Sequence, residues 1–189
     1  MIASIFVGDI ADAEADALCT STNPRLSLMM GTGASVRGRG GPVISRACEA
    51  IIAAEGQLAA GSAYATTAGS LPHKIVIHCV ASDVAHRSST DIVRLCVRNA
   101  VRIARDAGCA SLALPILGTG HAHLRFDDAV QAIAEELRGA PLERVVLVVN
   151  DPDRAGGVRA IVRPVLGGDV PIVKSASDEE RGGLWDSEW

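Results

Sequence analysis

Lysine is almost missing from this chain. Lys74 and Lys174 are the only two, and arginine fills the other basic positions. Basic residues number 18 against 22 acidic ones, so the net charge is −4 and the pI about 5.7. A protein built for duplex DNA carries a basic face, so sequence-specific DNA binding is not expected. Aromatic residues are also scarce. Phe6, Tyr64, Phe126, Trp185 and Trp189 make up 3% of the chain, too few for a stacking platform on single-stranded nucleic acid. No CxxC pair occurs. Cys19, Cys48, Cys79, Cys96 and Cys109 stand singly in apolar runs, so neither a zinc site nor a redox motif is indicated. They read as buried, reduced thiols of a cytosolic protein. No charged start leads into an apolar stretch, and no apolar run approaches membrane-spanning length. The expectation is a soluble, cytoplasmic protein with no membrane partner. The alanine- and valine-rich, lysine-poor composition suggests a GC-rich bacterial genome.

What is present is enough for one ordinary domain: 189 residues, 48% of them hydrophobic. Apolar runs at 2–7, 17–22, 62–69, 74–80, 111–115 and 145–149 read as strands. Helices are expected from Pro42 to about Glu55, Ser88 to Ala107, Phe126 to Arg138 and, more weakly, Asp153 to Val165. Residues 168–173 are a candidate last strand. Continuous apolar strands that alternate with amphipathic helices imply a sheet covered on both faces. The predicted fold class is α/β, a three-layer α/β/α domain with a mixed central sheet. The domain is placed at 1–167, with 168–189 as a polar, acidic, flexible tail.

Two glycine-rich segments follow strands and precede helices. They are GTGASVRGRGG at 31–41, read as a loop, and Gly118-Thr119-Gly120. In open α/β sheets, ligands bind beyond the carboxyl ends of strands, and glycine lets backbone amides approach an anion. A phosphate-bearing ligand follows, with ordinary turns as the competing reading. Neither segment is a P-loop, since no GK[ST] occurs, and the first lacks the GxGxxG spacing of dinucleotide-binding folds.

Gly8-Asp9-Ile10, Asp16-Ala17-Leu18, Asn23 with its glycine segment, LPHKIVIHCV and SLALPILGTG follow one another in an order that resembles the macrodomain, the ADP-ribose-binding fold. The resemblance spans about residues 4–155. From Asn23 to Arg39-Gly40-Gly41 it is closest to the macro-histone branch. The resemblance implies that Asp9 accepts the adenine amine, where a turn cap is the alternative, and that the Ile10 N–H meets the adenine ring. It implies Asn23 beside the distal ribose, with an Asn-Pro turn as the alternative. Gly31, Thr32, Gly33, Ala34, Ser35 and Val36 would wrap the diphosphate, opposed by Gly118, Thr119, Gly120 and His121. Asn150 stands where relatives often stack an aromatic on adenine. No cofactor and no metal are expected.

The hydrolases of this family place an asparagine and an aspartate where this chain has Thr20 and Gly33, so the usual pair is incomplete. The reading is therefore a module that binds ADP-ribose, free or linked to a macromolecule. The alternative is an ADP-ribosyl hydrolase or O-acetyl-ADP-ribose deacetylase that uses Asn23 and His121. An RNA or poly-adenylate reader is a further alternative. Restoring a carboxylate with Gly33→Asp is expected to raise hydrolysis. His78 and the cysteines read as core, Arg37 and Arg39 as candidate diphosphate partners, and Arg94, Arg98 and Arg102 as a solvated helix face.

Overall fold

A computed structural model describes residues 1–175. The tail expected beyond Ser175 lies outside the described residues. The strands β1 (Ile2–Val7), β2 (Ala17–Thr22), β3 (Ala63–Thr67), β4 (Ile75–Val80), β5 (Ser111–Pro115), β6 (Arg144–Val149) and β7 (Ile172–Lys174) form one sheet. Its order is β3-β4-β2-β5-β6-β1-β7. Every pairing is parallel except β3 with β4, which makes the sheet mixed. The helices are α1 (Gly31–Gly40), α2 (Pro42–Glu55), α3 (Thr90–Asp106), α4 (Phe126–Leu137) and α5 (Pro152–Leu166).

Strand side chains alternate between the two faces with period two, and here both faces are apolar. On β6, Val145, Leu147 and Val149 join one core while Val146 and Val148 join the other. On β4, Ile77 and Cys79 face the first core, and Val76 and Val80 face the second. The apolar stripes of α3, α4 and α5 close the first core through Val97, Ile133 and Val162. The second is closed by Val36 of α1 and by Ile44 and Cys48 of α2. This is the three-layer α/β/α arrangement.

Three local expectations differ from the structure. Residues 31–40, read as a loop, form a helix. Glycine disfavours helix by about 1 kcal/mol per residue, but here packing outweighs that cost. Val36 is fully buried, and a Cβ on Gly40 would run into the Ile44 side chain and lie 3.0 Å from the Ala68 carbonyl oxygen. The candidate last strand at 168–173 begins four residues later, as β7 (Ile172–Lys174), which pairs with β1 through Ile5–Ile172 and Val7–Lys174. Lastly, Arg94 and Arg98 are not simply solvated. They reach Glu135 and Glu136 of α4, each at 2.7 Å, and tie two helices together.

At the amino ends of the strands, Asp16 fastens three of them. Its carboxylate accepts from the Ala110 and Ser111 amides at 2.7 and 3.2 Å and pairs with Lys74 at 3.1 Å. The Ala110 amide, and after it Lys74, hold this carboxyl below its usual range.

His78 is fully buried on β4. Its Nδ1 lies 3.2 Å from Thr20 Oγ1 and its Nε2 lies 2.8 Å from Thr66 Oγ1. Desolvation pushes its pKa down from 6.5 to about 4. The unfolded chain therefore takes up a proton below about pH 6.5 while the folded chain stays neutral until about pH 4. Stability from this group is full above that window and is lost as pH falls through it. By pH 5 the loss is expected to reach about 2 kcal/mol. Denaturant melts at pH 7 and pH 5 check this: His78→Gln should be less stable at pH 7 but show a smaller drop between the two.

Candidate functional site

Parallel pairing brings the carboxyl ends of β1, β2, β4, β5 and β6 to one edge of the sheet. A cleft of about 950 Å³ lies along that edge. Gly8, Asp9 and Ile10 enter it from β1, and Ser21, Thr22 and Asn23 from β2. Ala81 and Ser82 enter from β4, Pro115 to Ala122 (apart from Leu117) from β5, and Val148 to Asp151 from β6. The first turn of α1 supplies Met30, Gly31, Thr32 and Ser35.

That first turn of α1 carries positive potential into the cleft. The N–H groups at a helix start have no intrahelical partner and carry positive potential. Met30 at the cap makes no side-chain bond, and the first turn holds no acidic residue. Gly31 opens the helix at φ 56°, a left-handed conformation that glycine adopts freely. Thr32 Oγ1 accepts from the Ser21 amide at 3.3 Å and fixes the turn against β2. Opposite stands the Gly118–Gly120 segment, pinned by Thr119 Oγ1 donating to the Ile116 carbonyl at 3.0 Å. The Leu124 amide bonds to the Gly118 carbonyl at 3.1 Å.

Asp9 and Asn23 serve two ends at once. Asp9 Oδ1 accepts from the Ala11 amide at 2.8 Å and from the Ser35 hydroxyl. No described residue bonds to Oδ2. Asn23 Oδ1 accepts from the Arg25 amide at 3.0 Å and more loosely from Ser27 at 3.4 Å. Its Nδ2 has no partner among the described residues. In both cases one half of the side chain holds a turn, and the other half has no bond within the protein.

Of the residues singled out in the sequence, Asp9, Ile10, Asn23, Gly31, Thr32, Ser35, Gly118, Thr119, Gly120, His121 and Asn150 line one cleft. Gly33, Ala34 and Val36 do not. Val36 points into the core, and Gly33 is buried against Leu28. Thr20 is fully buried and bonded to His78. Arg37 and Arg39 sit at the far end of α1, where Arg37 meets Met29 and Arg39 pairs with Asp12. His123 lies outside the cleft lining. The sequence reading missed Met30, Ser82, His86, Phe126, Asp151 and Arg154, all of which line the cleft. Asp151 and Arg154 follow Asn150 closely, which was the available signal.

The sequence matches the Macro domain family over residues 19–133. This chain belongs to the Macro domain family. It is 37% identical over 152 residues to the "Macro domain-containing protein in sno 5'region" of Streptomyces nogalater, covering 76% of this chain and 82% of that protein. It is 32% identical over 160 residues to a protein named O-acetyl-ADP-ribose deacetylase in Enterobacter, covering 80% and 88%. Three mycobacterial relatives are longer, and the match spans 38–39% of their length. Among solved structures, the Oceanobacillus iheyensis macrodomain with ADP superposes with a TM-score of 0.77 at 18% identity. The overlap is 84% of this chain and 88% of that one. A Trypanosoma brucei macrodomain in complex with ADP-ribose superposes with a TM-score of 0.72 at 21% identity, over 86% of this chain and 68% of that one. Among the described residues, no helix of this macro domain is long and apolar enough to cross a membrane.

The packing of Gly33 bears on the Gly33→Asp substitution. Its backbone is not left-handed. A Cβ there would sit 3.0 Å from Leu28 Cα and 3.3 Å from Leu28 Cδ2, so Leu28 must shift by a few tenths of an ångström to admit it. Gly33→Asp should therefore cost about 1–3 kcal/mol of stability through overpacking and a buried charge, and not open the cleft to a new carboxylate. Chemical denaturation of the mutant beside Gly33→Ala checks this, with Asp expected to be the worse of the two.

Proposed function

We propose that this macro domain binds ADP-ribose, free or attached to a macromolecule. One observation carries the reading: an uncapped helix start and an unpaired carboxylate oxygen face the same 950 Å³ cleft. That volume lies in the range of small-molecule sites. The adenine amine donates to Asp9 Oδ2, and the Ile10 N–H meets the ring. The diphosphate lies between the α1 amides at Gly31 and Thr32 and the Gly118–Gly120 segment. The distal ribose meets Asn23 and His121. Solved macrodomains of the same fold support the reading, since the one from Oceanobacillus iheyensis holds ADP and the one from Trypanosoma brucei holds ADP-ribose.

Binding without fast hydrolysis is the favoured form. Thr20 and Gly33 occupy the positions of the family's hydrolytic pair, and both are spent on packing. The likeness of Asn23–Gly41 to the macro-histone branch supports the same choice. A deacetylase or hydrolase is the second reading, because His86 and His121 both line the cleft and a relative bears the deacetylase name. Such an enzyme would use Asn23 to orient water and His121 as the base. The acidic net charge disfavours the RNA reader. Bacterial relatives and five buried, unlinked thiols support a bacterial cytoplasmic location.

Calorimetry with ADP-ribose tests the reading. Asp9→Ala should weaken binding by about 1–3 kcal/mol, and ADP should bind more tightly than inosine diphosphate, which lacks the amine. Equal affinity for the two would remove Asp9 from the adenine site. Acetate release from O-acetyl-ADP-ribose separates the second reading: rapid wild-type turnover that His121→Ala abolishes would establish the enzyme.

A further inference from the structure

We propose that the stacked pair of Arg154 and Phe126 is the platform on which the purine base lies. The inference rests on the ADP-ribose reading and names the residues that would hold the flat face of the base. Asn150, just after β6, is an exposed amide with no ring to offer a base. Phe126 is the one phenyl ring among the cleft-lining residues, which include no Tyr or Trp. The Arg154 guanidinium carbon lies 4.5 Å from the centroid of that ring. Arg154 Nε also donates to Asp151 Oδ2 at 3.2 Å, while Asp151 Oδ1 caps α5 through the Asp153 amide at 3.1 Å.

The guanidinium is thus held on two sides. The Phe126 ring lies against it and the Asp151 carboxylate grips one edge. The side chain nevertheless stays 51% exposed and lines the cleft, which leaves a planar surface for a ligand. A guanidinium is planar and weakly hydrated, and it stacks on aromatic planes, including bases. Its position suits the base. β1 and β6 pair in parallel as far as Val7 and Val149, and the Gly8 amide bonds the Val149 carbonyl at 2.9 Å. Asp9 and the Asn150–Arg154 segment therefore leave the sheet side by side. A base held edge-on by Asp9 would lie beside the first turn of α5.

The test separates stacking from charge. Arg154→Lys keeps the charge and loses the plane, and Phe126→Leu removes the backing ring. Both variants of the full chain are titrated with ADP-ribose and with inorganic pyrophosphate, a probe that has no base. The dissociation constant for ADP-ribose is expected to rise on the order of 10-fold in each, while pyrophosphate binding stays within about twofold. Asn150→Tyr added to Arg154→Lys should restore most of the lost affinity by supplying a ring from the neighbouring position. Unchanged ADP-ribose affinity in Arg154→Lys overturns the platform. Equal losses for ADP-ribose and pyrophosphate overturn it too, since the role would then be charge alone. If the wild type binds no ADP-ribose, the underlying reading fails first and takes the platform with it. Arg154→Lys sits on an exposed surface, so the test stands even if Phe126→Leu unfolds.

Discussion

Six of the seven strands run the same way, five of them carry apolar side chains on both faces, and the rest of the structure depends on that constraint. A parallel pair needs a long crossover, and a helix that returns over either face buries one of the two apolar surfaces. The helices consequently lie along the sheet and leave its carboxyl edge open. Turns from β1, β2, β4, β5 and β6 crowd that edge and make the cleft. At the opposite edge, Asp16 joins the starts of β2, β4 and β5 through one carboxylate. Charge used for stability and groups left for a ligand are thus kept at opposite ends of the same strands.

The scarcity of lysine fits how the cleft presents positive potential. The first turn of α1 offers amides and the helix dipole, with no acidic side chain to neutralise them. Arg37 and Arg39 lie in the last turn of that helix, where a cation complements the negative end of the dipole. Their charge strengthens the helix without entering the cleft. An anion held by amides needs no long flexible cation, and the wall opposite is again backbone, from Gly118 to Gly120.

The strands were legible to within a residue or two, because four to six apolar residues in succession admit few other structures. The amphipathic helices were legible for the same reason. The α1 segment was not. Four glycines in ten residues mimic a loop, and only the neighbours of Gly40 and Val36 explain why they form a helix. The candidate site was half legible. Asp9 and Asn23 each invited two readings, a turn residue or a ligand contact, and the structure gives both side chains the first role while leaving one atom of each for the second. The Arg154–Phe126 contact joins two helices that no local pattern connects, so nothing in the sequence announced it.

Thr20 and Gly33 are both held in place by the packing of the second core. Thr20 and Thr66 satisfy the two ring nitrogens of His78, and Cys48 closes over it at 3.6 Å. A buried imidazole that loses a partner keeps the cost of its desolvation, so Thr20 is held in place by stability. Gly33 packs so closely on Leu28 that a Cβ would press to 3.0 Å from the Leu28 Cα. Substitutions at Thr20 and Gly33 therefore act against folding. A base for the deacetylase or hydrolase reading would come from the other wall, where His121 is exposed and lines the cleft beside Gly120. The same residue on a binding module would only donate to the distal ribose. The difference between the two functions then rests on whether His121 reaches a water or a hydroxyl.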